Sequence, residues 1–169
     1  MKPMALNDEL WATIERADES GVRLEMVMGT PSWEAMPGTR HQVAVKRIES
    51  SIDKASDDSN CKCATYQDIY VLFPDGSYKR PDISIYCREL PLEDGATTEI
   101  PAAVVEVISK GSEAKDLQIG PPFYLSQGVL DVLVFNPYTN VISHFTKAGS
   151  TTEISPREIG LQCGCRVTV

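Results

Sequence analysis

Residues 78–107 read YKRPDISIYCRELPLEDGATTEIPAAVVEV, and two pieces of this stretch decide the fold. Over residues 81–86 the side chains alternate, with Asp82, Ser84 and Tyr86 on one side and Ile83 and Ile85 on the other, the period of a strand. Residues 104–108 form an apolar run broken by a single acid, Glu106. Such a run reads as a buried strand, and a carboxylate inside it costs free energy unless it is hydrogen-bonded or holds a metal. Glu106 is therefore the most informative residue of the chain. If the two strands pair, Asp82 and Glu106 meet. Two carboxylates beside backbone carbonyls make a hard, oxygen-rich site suited to magnesium or manganese.

Around this centre the chain reads as a single domain, residues 1–169, because its length suits one core and no composition shift divides it. Upstream, Asn7 or Asp8 caps a helix whose apolar stripe is Leu10, Trp11 and Ile14 and which ends near Ser20-Gly21. Residues 22–28 alternate, and Gly29-Thr30-Pro31 turns them back into a short strand over 33–36, an N-terminal β-hairpin. Glu25 lies opposite the face of Leu24 and Met26, where a lone strand carboxylate is most often solvated. The pattern predicts a helix over about 40–55 with Val43, Val45, Ile48 and Ile52 as apolar positions and His41 in its first turn. An acidic, exposed loop is expected over 88–99. Downstream, Ser109 or Ser112 caps a turn that Gly120-Pro121-Pro122 stops, and a fresh helix starts at those prolines. Strands over 129–135 and 141–145 form a hairpin, and residues 151–169 read as a polar loop and a last strand.

The net charge of -8 counts against nonspecific binding to nucleic acid, whose affinity for proteins comes largely from lysine and arginine. A local basic rim can still coexist with an acidic whole. No apolar run is long enough to cross a bilayer, and the N-terminus lacks the apolar core of a secretory signal, so a cytoplasmic protein without membrane partners is expected. Five cysteines include two C-x-C pairs, Cys61/Cys63 and Cys163/Cys165, with Cys87 between them. Paired across the fold, the two C-x-C pairs could make a four-thiolate zinc site, but structural zinc ligands usually have two to four residues between them. At one-residue spacing both cysteines of each pair face one side of a strand, so the reading favoured here is small buried hydrophobes, and an odd count in a cytosolic chain argues against a disulfide framework.

The motifs RLEMVMG (23–29), TRHQ (39–42), KRPDISIY (79–86), PAAVVEVIS (101–109), KDLQIGPPFYLSQGV (115–129) and VLDVLVFNPYTN (129–140) follow one another in an order and spacing that resembles the Uma2 family (DUF820). That family belongs to the PD-(D/E)XK superfamily of restriction-endonuclease-like proteins. The resemblance implies an α/β fold, a restriction-endonuclease-like mixed β-sheet core flanked by helices, and metal-dependent hydrolysis of phosphodiester bonds in DNA. By the family pattern Asp82 and Glu106 are the carboxylate ligands of Mg2+ or Mn2+, and the Val107 carbonyl completes the inner shell. Glu25 and His41 match the family's upstream acidic and histidine positions. A homodimer would cut both strands of a duplex conveniently.

The superfamily's lysine, two residues after the glutamate, is Ile108 here, and the family's displaced lysine, four residues after Asp116, is Gly120. Lys110 and Lys115 are the substitutes. Lys110 shares a face with Glu106 if the strand continues, and Lys115 reaches inward if the prolines re-aim the turn before them. A second reading follows from Gly120 and the acidic total: a nuclease fold that binds nucleic acid or a protein partner without cleaving it.

Overall fold

The computed structural model describes residues 7–169. Helix α1, Asp8–Glu19, is capped by the Asn7 side chain, whose Oδ1 accepts the Leu10 N–H at 3.2 Å. Strands β1, Val22–Val27, and β2, Thr30–Ala35, form the expected hairpin. Its turn is Met28-Gly29, at φ +51° and +77°, the two-residue kind whose twist matches its strands. Pro31 therefore lies within β2 rather than in the turn, on the edge of its sheet where a missing N–H is tolerated.

Helix α2, Thr39–Ser50, stops short of position 55 because Asp53–Lys54 leaves as strand β3. Strands β4 (Ala64–Gln67), β5 (Val71–Leu72), β6 (Tyr78–Lys79), β7 (Ile83–Tyr86) and β8 (Ala103–Val107) follow. A π-helical turn, Lys115–Ile119, then runs without a break into helix α3, Gly120–Ser126. The prolines do not stop this helix. They occupy its first turn, where absent N–H groups cost little, and the widened turn before them closes by the Gly120 N–H reaching the Lys115 carbonyl. Strands β9 (Asp131–Asn136), β10 (Val141–Thr146), β11 (Gly149–Ile154), β12 (Glu158–Gly160) and β13 (Cys165–Thr168) complete the chain. The sequence of β11, GSTTEI, has no apolar alternation to read, so the expected loop is in part a strand that pairs with β10.

The central sheet runs β11-β10-β9-β8-β7-β4, with β8 and β9 parallel and the other neighbours antiparallel. A smaller sheet, β2-β1-β6-β5, carries the hairpin, and β12-β13-β3 forms a third. Helix α2 packs Ala44, Val45 and Ile48 onto Ile83, Ile85, Val105 and Val107, while α3 packs Phe123 and Tyr124 onto Val104, Val132 and Val134 of the opposite face. Ile14 of α1 buries against Tyr78 and Leu72 of the smaller sheet. Burial of each such side chain contributes roughly 1.5–3 kcal/mol. The result is the mixed sheet flanked by helices that the resemblance implies. No helix among the described residues is long and apolar enough to cross a membrane.

The cysteines depart from expectation. Cys61 is bonded to Cys87 and Cys63 to Cys165, while Cys163 remains a thiol. Cys61 and Cys63 precede β4 in an irregular stretch, with Cys63 at φ +51°, so the period-two argument that put both on one side of a strand does not apply.

Candidate active site

The register that pairs Ile83 with Val105 across β7 and β8 sets Asp82, one residue before β7, opposite Glu106. Both side chains are buried, at 5% and 8% exposure. The Asp82 N–H donates to Glu106 Oε2 at 3.3 Å, and the Val107 N–H donates to Asp82 Oδ2 at 2.7 Å, which locks the two strand ends together. Asp82 also meets His41 Nε2 at 3.1 Å and the Arg23 guanidinium at 3.3 Å. Burial pushes the Asp82 carboxyl up, but the His41 hydrogen bond and the Arg23 charge outweigh it and hold the group below the usual carboxylate range. Burial pulls His41 down, and Asp82 more than offsets this, leaving the imidazole above its ordinary value.

Glu106 has the opposite character. Its Oε1 accepts from the Tyr124 hydroxyl and its Oε2 from a backbone amide, both neutral donors. Burial, and then the negative charge of Asp82, push its pKa well above the usual carboxylate range. Tyr124, buried and facing this carboxylate, is itself pushed well up and so stays a donor. Two adjoining carboxyl groups whose pKa values are driven apart mark sites of ligation or catalysis more often than sites of mere packing.

Glu25 is not solvated: it is 3% exposed. Its Oε2 lies 3.2 Å from Lys79 Nζ and 3.0 Å from Lys115 Nζ, and its Oε1 accepts the Arg80 N–H at 2.9 Å. Burial raises its pKa, but the two ammonium groups prevail and the carboxyl falls to about 2. The sequence reading passed over Arg23, Lys79 and Tyr124 as site residues. Arg23 bridges Asp82 and Asp68, and Lys79 sits 5.1 Å from the centre of the Tyr124 ring. The signal for Arg23 was present in the alternation of β1, which puts it on the same face as Glu25.

Lys115 thus points toward the site, with its π-helical turn as the device. Lys110 does not share the face of Glu106, because β8 ends at Val107 and Lys110 lies exposed in the turn that follows. Gly120 is buried at the start of α3 with helical φ of -59°, and a Cβ there would lie 3.5 Å from the Lys115 carbonyl oxygen and 3.8 Å from the Tyr124 ring, ordinary contact distances. Glycine is therefore not required by space. Gly120→Ala is expected to stabilise the protein by about 0.5–1 kcal/mol through the lower entropy of its unfolded chain, read as a higher urea midpoint at unchanged m.

A cavity of about 540 Å³ opens beside these residues, lined by Trp33, Arg40, His41, Lys110, Lys115 and Tyr138 among others. Trp33 and Tyr138 are exposed at 67% and 51%, and the Arg40 guanidinium lies 5.2 Å from the centre of the Tyr138 ring. The lining gathers cations and exposed aromatic rings on a protein whose net charge is -8.

Over residues 9–162 the sequence matches the family Uma2, described as "Putative restriction endonuclease". No curated protein matches it. A similar fold occurs in a solved protein of Anabaena variabilis ATCC 29413 described as "a putative nuclease belonging to DUF820". The two share 16% identity at a TM-score of 0.62, over 82% of this chain and 81% of the other. At that identity the likeness is one of fold. The family match spans α1 through the residues just before β13 and includes both carboxylates, and the chain belongs to the Uma2 family.

Proposed function

We propose that the protein is a divalent-metal-dependent endonuclease that hydrolyses phosphodiester bonds in DNA. The observation that carries this reading is the buried Asp82/Glu106 pair, which His41 joins to a cavity lined with cations and exposed aromatic rings. The donor set fits a hard cation. Glu106 is a carboxylate whose hydrogen-bond donors are neutral and whose ionisation is opposed by Asp82, a repulsion that a divalent ion bound between them would offset. Asp82 and Glu106 would hold Mg2+ or Mn2+, with the Val107 carbonyl as third protein ligand. Such an ion supplies Lewis acidity and lowers the pKa of bound water.

The chain's own residues divide the remaining work. His41 and Arg23 fix the orientation of Asp82, and Glu25 holds Lys79 and Lys115 in place by charge. Lys115 lines the cavity and is the cation placed to stabilise negative charge on a phosphate, the role that Gly120 cannot fill. Arg40 and Lys110 suit backbone phosphates. Trp33 and Tyr138 offer faces on which unpaired bases can stack.

A second reading, binding without cleavage, is favoured by one contact: Arg23 already provides Asp82 with an internal counter-charge. The test that separates the two is cleavage of supercoiled plasmid and of single-stranded DNA with Mg2+ or Mn2+, beside an EDTA-treated sample. Metal-dependent nicking is the expected result. Retention of DNA on a filter with no cleavage in either metal would favour the second reading.

A further inference from the structure

All five cysteines of the chain gather in one place, although they come from three separate segments: the approach to β4, the end of β7, and the turn leading into β13. The sulfurs of Cys61, Cys63 and Cys165 lie within 4.8 Å of one another, and so do those of Cys61, Cys87 and Cys163. Cys61 belongs to both groups. Its Sγ is 3.4 Å from that of Cys165, a residue bonded to a different partner. Two disulfides do not require such proximity, since each needs only its own pair. A zinc ion does: with Zn–S bonds of about 2.3 Å, the edge of a tetrahedron of sulfurs is about 3.8 Å.

We propose that, in its reduced form, the protein binds one zinc ion through the thiolates of Cys61, Cys63, Cys87 and Cys165. Each of the two disulfides takes two electrons and two protons from a dithiol reductant, which leaves as its own disulfide. Binding of Zn2+ by the four thiols then releases four protons to solvent. Cys61, Cys63 and Cys165 are buried, and a cavity of about 460 Å³ lined by Ser59, Cys61, Cys87 and Cys163 gives the ion a way in. The backbone is shaped for this gathering. Gly164, between Cys163 and Cys165, takes φ +91°, and a Cβ there would come 2.5 Å from Ser59 Oγ, so any other residue would strain the turn that aims these sulfurs at Cys61.

This site is distinct from the carboxylate site. Asp82 precedes β7 and Cys87 follows it, a separation of roughly 16 Å along an extended strand. A hard cation would choose the first and a soft one the second. The ion would join the β12-β13-β3 sheet to the central sheet, the same link that the Cys63–Cys165 disulfide makes in the oxidised form.

The experiment is cobalt and zinc titration of the full chain, freed of metal and kept in a phosphine reductant. One equivalent of Co2+ should give the intense visible bands and the thiolate charge-transfer absorption of a tetrahedral sulfur site, and one equivalent of Zn2+ should bleach them. Cys163→Ser should retain the spectrum, and Cys61→Ser should lose it. Asp82→Ala should leave it unchanged. Five freely reactive thiols with no cobalt spectrum on the wild-type chain would overturn the proposal, whatever the variants do. So would a spectrum that survives Cys61→Ser.

Discussion

Glu106→Gln is expected to lower metal-dependent cleavage by about 10³-fold or more while making the metal-free protein more stable. The two effects have one cause. Glu106 is buried beside Asp82, and both burial and that neighbouring charge raise its pKa well above the usual range. A carboxyl whose folded pKa is raised contributes stability that is fully present below its ordinary pKa and is lost as pH rises toward and through the folded value. At neutral pH the metal-free wild type therefore carries a cost that the neutral amide removes. The amide also fits the contacts: its oxygen can accept the Asp82 N–H, and its NH2 can donate to the Tyr124 oxygen once that hydroxyl turns. Thermal unfolding at pH 7.5 should show a higher Tm for the variant without metal. Added Mg2+ should raise the Tm of the wild type and leave that of the variant nearly unchanged. A variant that cleaves plasmid at a rate near that of the wild type would remove Glu106 from the metal site.

The same physics explains what could be read in the sequence. Glu106 was legible because an acid inside VVEVI has no innocent explanation, and Asp82 because a strand of period two put it at the matching end of a second strand. The register of β7 on β8 brings them together as that argument required. Arg23 and Glu25 were half legible. The alternation in β1 put them on one face, but that face turned out to be buried, with Leu24 and Met26 less deeply covered on the other. Whether a charged face is wet depends on partners, and here the partners are Asp82 and Lys79, 59 and 54 residues away. The shared face expected for Lys110 and Glu106 is absent for a local reason, since β8 ends before Lys110, which lines the cavity from the turn that follows. A gathering of the two C-x-C pairs could be raised from the sequence, but the bonding of Cys61 to Cys87 and of Cys63 to Cys165 was illegible, because it depends on β13 returning beside the approach to β4, a long-range event with no pattern of its own.

Glu25→Gln is expected to cost about 3–5 kcal/mol of folding stability at pH 7, the usual penalty for removing one member of a buried ion pair. That is a large part of the 5–15 kcal/mol that holds a typical domain together. The reason lies with Lys79, which is 3% exposed and whose ammonium has the Glu25 carboxylate at 3.2 Å. A neutral amide in its place can accept a hydrogen bond but cannot balance the charge, and Lys115 loses the same carboxylate. Proton linkage gives a consistent size. The Glu25 carboxyl drops from 4.5 to about 2 on folding, and at 1.36 kcal/mol per unit this is worth roughly 3 kcal/mol at neutral pH. A depressed carboxyl contributes its stability above its ordinary pKa and loses it as pH falls through the folded value. The wild type should therefore weaken between about pH 4.5 and 2 through this group, and Glu25→Gln should show a flatter profile there. Urea unfolding at pH 7, 5 and 3 measures both quantities. A loss below 1 kcal/mol at pH 7 would mean that Lys79 and Lys115 find water or another acid when Glu25 is neutral, and that the charge network around the site is less tightly built than its distances suggest.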